Sequence, residues 1–175
     1  MCEEHSPYSP SHQARIKGEL PYRRMDIDTI EQVISECASH GLEEIIPSTM
    51  GEPLIYRHMP RIIELCHEHG IKLNLTTNGT FPGRGAEKWA KMIVPVGSDV
   101  KLSWNGSNRT SQSLVMVNND FDKNMEDLRT FIRIRDEHAN SGGNYCSVTL
   151  QMTFMEMNLE QVPQVVELAI KEGVD

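Results

Sequence analysis

The clearest candidates for chemistry are polar side chains that follow short apolar runs of the chain. Gly51-Glu52-Pro53 joins a glycine that a ligand can approach closely to a carboxylate that accepts hydrogen bonds from an ammonium group and a proline that fixes the chain direction. The set contains one carboxylate, so it suits hydrogen bonding to a polar small molecule better than hydrolysis by paired carboxylates. The corresponding positions further along the chain carry amides and hydroxyls: Asn78, Ser103, Asn105 and Gln151.

Strands alternating with helices are needed to position these side chains. Short β-branched or apolar runs predict parallel strands near residues 43–49, 71–77, 98–104 and 146–154. Apolar residues at helical spacing lie between them, with Asp28 as a candidate cap of the first helix. This alternation is typical of βα units, whose functional residues meet at the carboxyl ends of the strands. We therefore expect the polar set to converge at one edge of a sheet.

The number of strands limits the architecture. A closed eight-stranded barrel typically needs roughly 250 residues, whereas this chain has 175. The predicted fold class is therefore α/β, an open sheet or partial (β/α) barrel. We expect a single domain with an N-terminal loop over residues 1–25 and βα units over residues 26–175, and a second long loop over residues 105–119. The chain opens on a loop and stops where a further strand is expected, which indicates a fragment truncated at both ends.

Charge and composition exclude several classes of protein. The chain has 17 Lys and Arg against 25 Asp and Glu, a net charge of −8. This balance disfavours nucleic acid and membrane surfaces as partners. No apolar run approaches the roughly 20 residues that span a bilayer, and residues 1–20 do not form a secretory signal. The four widely spaced cysteines favour a reducing compartment, and we expect the cytoplasm.

The order of the motifs is more informative than any one of them. A loop that starts with Cys2 precedes a helix and a strand ending in Gly51-Glu52-Pro53; the next strands end in Thr-Thr-Asn-Gly and Ser-Trp-Asn-Gly. From Cys2 to Asp175 the chain resembles the radical S-adenosylmethionine (SAM) superfamily, from just after the first strand to the edge of the sixth strand of its partial (β/α)6 barrel.

The resemblance implies a set of cofactor-binding residues. Family members hold three irons of a [4Fe-4S] cluster with a C-x3-C-x2-C motif, and SAM chelates the fourth iron. Cys2 matches the third cysteine, and Gly51-Glu52-Pro53 matches the Gly-Gly-Glu-Pro motif that holds the SAM amino group, with Met50 in place of the first glycine. Asn78 matches a position close to the SAM pocket, Ser103 and Asn105 match polar residues that contact ribose or carboxylate, and Gln151 matches only weakly.

The resemblance also implies an activity. We expect reductive cleavage of SAM at the cluster to a 5′-deoxyadenosyl radical that abstracts hydrogen from an unidentified small-molecule or peptide substrate. The electron is expected from a reductant such as flavodoxin or ferredoxin. The first two cluster cysteines are absent from the chain, and Cys37, Cys66 and Cys146 lie in or beside regular elements, where they cannot replace them. We therefore expect the chain as given to be inactive.

Two other interpretations stay open at this point. One is a non-catalytic α/β module that binds a nucleoside or a partner protein without a cluster. The other is a cluster-free barrel enzyme, which would need a catalytic lysine or carboxylate at a strand end; Lys101 is the only lysine near such a position.

Overall fold

A computed structural model describes residues 8–21, 24–47 and 51–175. Cys2 and Met50 lie outside these ranges. From α2 onwards the described strands are separated by helices, with two helices in succession, α5 and α6, between β3 and β4. The helices are α1 (Pro10–Ile16), α2 (Ile27–Ser39), α3 (Met59–His69), α4 (Gly85–Ile93), α5 (Arg109–Val115), α6 (Phe121–Asn140) and α7 (Val162–Glu172). The strands are β1 (Glu44–Ile45), β2 (Lys72–Thr77), β3 (Gly97–Ser103) and β4 (Ser147–Gln151), and short 3₁₀ helices cover Pro53–Ile55 and Glu156–Gln161.

The four strands form one open parallel sheet in the order β1-β2-β3-β4. The register places Thr76 beside Lys101 and Lys101 beside Thr149. Two residues further along β3 and β4, it places Ser103 beside Gln151. All pairs are parallel, so the carboxyl ends meet at one edge. The predicted α/β class, the parallel sheet and its open form are confirmed.

The two faces of the sheet differ in chemistry. One face is apolar and buried against the helices, with Leu73, Leu75, Val100 and Val148 each 0% exposed. The opposite face is polar and half-buried. There Asn74 Nδ2 donates to Glu44 at 3.2 Å, Lys101 Nζ donates to Asn74 at 2.6 Å, and Thr149 Oγ1 donates to Asp99 at 3.2 Å. Parallel sheets covered on both faces are usually apolar on both, so this face is built for polar contacts.

Helix ends follow the capping chemistry of the sequence. Asp26, and not Asp28, caps α2, because its Oδ2 accepts a hydrogen bond from the Thr29 N–H at 3.1 Å. Gly70 ends α3 at φ 67°, a left-handed conformation that glycine adopts without steric cost. Phe81, in the turn after β2, packs against the middle of α6, where its ring stacks on Phe131 at 5.6 Å between centroids.

Two expectations about local structure were wrong. The predicted N-terminal loop contains α1, which starts at Pro10 under a Ser9 cap. The predicted loop over residues 105–119 contains α5, which starts with a reciprocal Asn108–Ser111 capping box. The strand predicted near residues 43–49 is confirmed as β1, which within the described residues covers Glu44–Ile45 and ends before Pro47, a residue that cannot donate to a strand ladder. In the described ranges, no helix is both long and apolar enough to cross a membrane.

Candidate functional site

Glu52 joins the loop after β1 to the carboxyl end of β2. Its Oε2 accepts a hydrogen bond from the Asn78 N–H at 2.6 Å, and its Oε1 accepts one from Thr77 Oγ1 at 2.7 Å. The Leu54 N–H donates to Oε1 at 3.1 Å, so the same carboxylate caps the 3₁₀ helix Pro53–Ile55. The Gly-Glu-Pro and Thr-Thr-Asn-Gly segments are therefore one structural unit, which we call the Glu52 clasp.

The residues on either side of Glu52 shape the backbone of this unit. Gly51 is exposed and has φ 85°, a conformation that residues with side chains rarely adopt. Pro53 starts the 3₁₀ helix, where its missing N–H leaves no helical hydrogen bond unmade. The sequence thus places an open backbone position directly before the carboxylate and a rigid position directly after it.

Three predicted site residues lie side by side at the edge of the polar face. Ser103 pairs in register with Gln151, and Asn78 follows the pair formed by Thr77 and Leu102, which places it next to Ser103. Neighbouring strands lie about 4.8 Å apart, so one small molecule can touch all three positions. Ser103 is half-buried and Gln151 is exposed, and neither side chain donates or accepts a hydrogen bond within the described part of the chain.

Asn78 holds the turn after β2. Its Oδ1 accepts hydrogen bonds from the Thr80 N–H at 2.9 Å and from Thr80 Oγ1 at 2.6 Å. Thr77 Oγ1 accepts a further hydrogen bond from the Gly79 N–H at 3.3 Å. The carbonyl oxygen of the Asn78 amide is thus used within the protein.

Asn105 lies deeper than expected for a ligand contact. It is 5% exposed, and its Oδ1 accepts a hydrogen bond from the Thr153 N–H at 2.8 Å. Its own N–H donates to Gln112 Oε1 at 2.7 Å. Asn105 therefore links the segments that follow β3 and β4. This link holds in place the strand ends that carry Ser103 and Gln151.

Asn158 completes this link and was missed by the sequence reasoning. Its Nδ2 donates to the Asn105 carbonyl at 3.2 Å and to the Thr153 carbonyl at 3.0 Å. Its Oδ1 accepts a hydrogen bond from the Met155 N–H at 2.8 Å. Asn158 is 1% exposed and Gln112 is 0% exposed. In the sequence, Asn158 and Gln112 are two amide side chains within polar segments, and nothing else there indicates that both are buried.

The described cysteines do not form a metal centre. No group of three His, Cys, Asp or Glu side chains in the described ranges could hold a metal ion. Burial raises the pKa of Cys66 to about 11 and that of Cys146 to about 12, so both thiols stay protonated near neutral pH. Cys37 is exposed and unbridged.

The contacts of Lys101 do not fit the role of a catalytic amine. Its Nζ lies 2.6 Å from Asp99 Oδ2 and donates to Asn74 Oδ1 at 2.6 Å. Covalent catalysis by lysine needs the neutral amine, whereas this geometry pairs the ammonium with a carboxylate. The cluster-free barrel interpretation loses its only lysine candidate.

The family comparison agrees with this arrangement. The Radical SAM superfamily model matches residues 3–169, which is most of the chain and includes the whole Glu52 clasp. The chain belongs to the radical SAM superfamily, a class of enzymes that use a [4Fe-4S] cluster and SAM. Cys2 lies directly before the matched range.

A curated relative with an established activity matches part of its own length. GTP 3′,8-cyclase of Clostridium perfringens (strain SM101 / Type A) is 27% identical over 163 residues. The match covers 86% of this chain and 43% of the relative. The chain thus spans less than half the length of this curated relative.

Solved structures share the fold. SuiB of Streptococcus suis, determined with bound S-adenosylmethionine, has a TM-score of 0.67 at 15% identity, covering 89% of this chain and 33% of SuiB. TYW1 with a lysine-pyruvate adduct has a TM-score of 0.56 at 13% identity, covering 99% of this chain and 57% of TYW1. At these identities the likeness shows a common fold.

Proposed function

We propose that this chain forms the SAM-binding part of a radical SAM enzyme. The reaction would be reductive cleavage of SAM to a 5′-deoxyadenosyl radical that takes a hydrogen atom from a substrate. The observation that carries the proposal is the Glu52 clasp, because it joins two of the motifs at the carboxyl edge of a parallel sheet. Family membership supports the same reaction.

The proposed SAM pocket uses the edge from β1 to β4. Gly51 leaves backbone open for the amino group of SAM, and Glu52 and Pro53 fix that backbone against β2. Asn78 fixes the adjoining turn, and Asn105 positions the ends of β3 and β4. Beside the Gly51 backbone, the side-chain groups left to contact SAM directly include the Ser103 hydroxyl, the Gln151 amide and Nδ2 of Asn78.

The cluster would supply the electron that breaks the SAM sulfonium bond, and its ligands lie outside the described residues. Cys2 is the proposed metal ligand within this chain. Cys66 and Cys146 do not fit the role, because Cys66 lies buried in α3 and Cys146 lies buried directly before β4, apart from the edge that carries Glu52.

Binding of SAM tests the pocket. Ser103 and Gln151 make no side-chain hydrogen bond within the described ranges, so S103A/Q151A should keep the fold and its circular dichroism spectrum. We expect this variant to bind SAM about 10-fold more weakly in equilibrium dialysis, since losing one or two net hydrogen bonds costs roughly 1–2 kcal/mol. S35A, on exposed α2, is the matched control. Unchanged SAM affinity in S103A/Q151A, or no binding by the folded wild type, would overturn the assignment.

The coding DNA upstream of Met1 tests the cluster. The motif spacing predicts two further in-frame cysteines there. A stop codon or unrelated sequence would contradict the proposal and favour a module that binds a nucleoside or partner protein without a cluster.

For the substrate we propose a polar small molecule or peptide. The polar face of the sheet supports this, because it offers amides, hydroxyls and the Lys101 ammonium instead of an apolar wall. The curated relative is named for its action on GTP, and SuiB was determined with its precursor peptide SuiA. GTP is therefore the first probe, tested by 5′-deoxyadenosine formation with the complete native protein, cluster and reductant. Recovery of all GTP unchanged after 5′-deoxyadenosine has formed would exclude it.

A further inference from the structure

A cleft of about 390 Å³ lies beside the Glu52 clasp. One wall comes from the 3₁₀ helix Pro53–Ile55 and the start of α3, and the other from the turn before α4. The lining combines apolar side chains, including Leu54, Ile55 and Trp89, with three cations: Arg57, Arg84 and Lys88. We call this the basic cleft. Its lining contains no carboxylate among the described residues.

The basic cleft brings together three cations that have no carboxylate partner in the described ranges. Eight other Lys and Arg side chains form ion pairs with Asp or Glu within 4 Å, among them Arg61, Lys91 and Arg135. Arg57, Arg84 and Lys88 form none within the described ranges. The net charge of the chain is −8, so the surface as a whole repels an acidic protein. The basic cleft is a local exception, because three unpaired cations lie together there.

The cleft is held in shape by its own contacts. The Arg84 guanidinium lies over the Trp89 ring at 5.6 Å from the centroid, and Trp89 Nε1 donates to the Pro82 carbonyl at 2.9 Å. Arg57 Nε donates to His58 Nε2 at 2.7 Å. Ile55, at the rim, is 57% exposed. Arginine and aromatic side chains around an exposed apolar residue are typical of the hot spots of protein–protein interfaces.

Both walls continue from the candidate site. The first wall begins at Leu54, two residues after Glu52, and the second belongs to the segment that follows Asn78 and Thr80. A partner seated in the cleft would therefore lie next to the segments proposed to hold SAM. The proposed reaction consumes an electron from outside the enzyme at this end of the sheet.

We propose that the basic cleft is the docking surface for the acidic electron-carrier protein that reduces this enzyme. This inference rests on the proposed function for the identity of the partner, whereas the surface itself rests on charge and position. Redox partners use small, transient interfaces, and charge complementarity mainly raises their association rate. A shallow cleft with three cations and one exposed apolar side chain matches that requirement.

Charge reversal with a matched control tests the docking. Oxidised flavodoxin is the probe, titrated at low ionic strength against the complete native protein. We expect R57E/R84E/K88E to weaken flavodoxin binding at least 10-fold. The control K17E/R24E/K171E changes the net charge by the same amount at three exposed cations that form no ion pair in the described ranges, and we expect binding within twofold of wild type. Circular dichroism checks the folding of both variants, and R57Q/R84Q/K88Q provides a milder change.

Each outcome decides the docking proposal. Stronger loss in the cleft variants than in the control, with wild-type affinity falling as salt is added, supports it. Equal loss in both sets, no binding of flavodoxin by wild type, or equal competition by inorganic phosphate would overturn it. SAM binding is measured separately on the same wild-type protein, so docking without SAM binding refutes the proposed function, and SAM binding without docking refutes the cleft alone.

Discussion

The Glu52 carboxylate and the Asn78 backbone N–H are joined by a hydrogen bond of 2.6 Å that crosses from the loop after β1 to the end of β2. The two residues are separated by all of α3 and β2 along the chain. The bond therefore fixes the relative position of two loops at the edge of the sheet, and neither loop needs a ligand to hold that position.

Removing the Thr77 hydroxyl should loosen this arrangement. T77V preserves size but leaves Glu52 Oε1 and the Gly79 N–H without one partner each. We expect the free energy of unfolding to fall by about 1–2 kcal/mol in urea denaturation. T130V, at a half-buried position of α6 where the hydroxyl donates to the Glu126 carbonyl, is the control and should change stability by less than about 0.5 kcal/mol. Equal effects at the two positions would refute a special role for Thr77.

Asn158 should tolerate even an isosteric change poorly. N158D would replace the donor amide with a carboxylate oxygen facing the Asn105 and Thr153 carbonyls. Because Asn158 is 1% exposed, we expect a loss of roughly 2–3 kcal/mol in unfolding free energy. N140D, at the exposed end of α6, is the control. Wild-type stability of N158D would show that the Asn105–Asn158 link does not hold the two strand ends.

Arg135 should be essential for holding the C-terminal residues Gly173 and Asp175 in place. Its side chain is 4% exposed, and it donates to Asp175 Oδ2 and to the Gly173 carbonyl, both at 2.8 Å. R135M would leave these acceptors without their cation, and we expect a loss of about 3 kcal/mol in chemical denaturation. R133M removes an exposed i,i+4 pair with Glu137 and should cost less than about 0.5 kcal/mol. A similar cost for the two variants would contradict this role.

The Arg129–Glu172 pair should make stability depend on acid. Two hydrogen bonds of 2.7 Å from Arg129 hold the pKa of Glu172 below its usual value of 4.5. A lowered pKa in the folded state means that the stabilisation is present above pH 4.5 and is lost as the pH falls through the lower, folded-state pKa. We expect E172Q to have a lower thermal midpoint than wild type near neutral pH, with the difference shrinking below pH 4.5. A pH-independent difference would exclude this linkage.

The strands of the sheet were predicted from the sequence more accurately than the segments that connect them. Apolar–polar alternation in β2 and the short runs of β3 and β4 predicted parallel strands, because one buried face leaves a clear pattern in the chain. The helix α5 was missed because its polar residues read as loop, and only the Asn108–Ser111 capping box explains where it starts.

The predicted site residues were brought to one edge, but their individual roles were not visible in the sequence. Asn78, Ser103 and Gln151 align because strand register places them together. Asn105 faces inward, since its amide satisfies the Thr153 N–H. Asn158 was missed because one of its partners, the Asn105 carbonyl, comes from a segment that meets it only in the folded chain. Their role in binding SAM stays a prediction.

The spatial order of the strands, β1-β2-β3-β4, repeats their order in the chain. Each strand therefore pairs with a partner that has already been synthesised, after closure of a single intervening helical connection. Pairing between consecutive strands keeps the chain separation of the contacts as short as a parallel sheet allows, and it lets the sheet grow by one βα unit at a time as the chain leaves the ribosome.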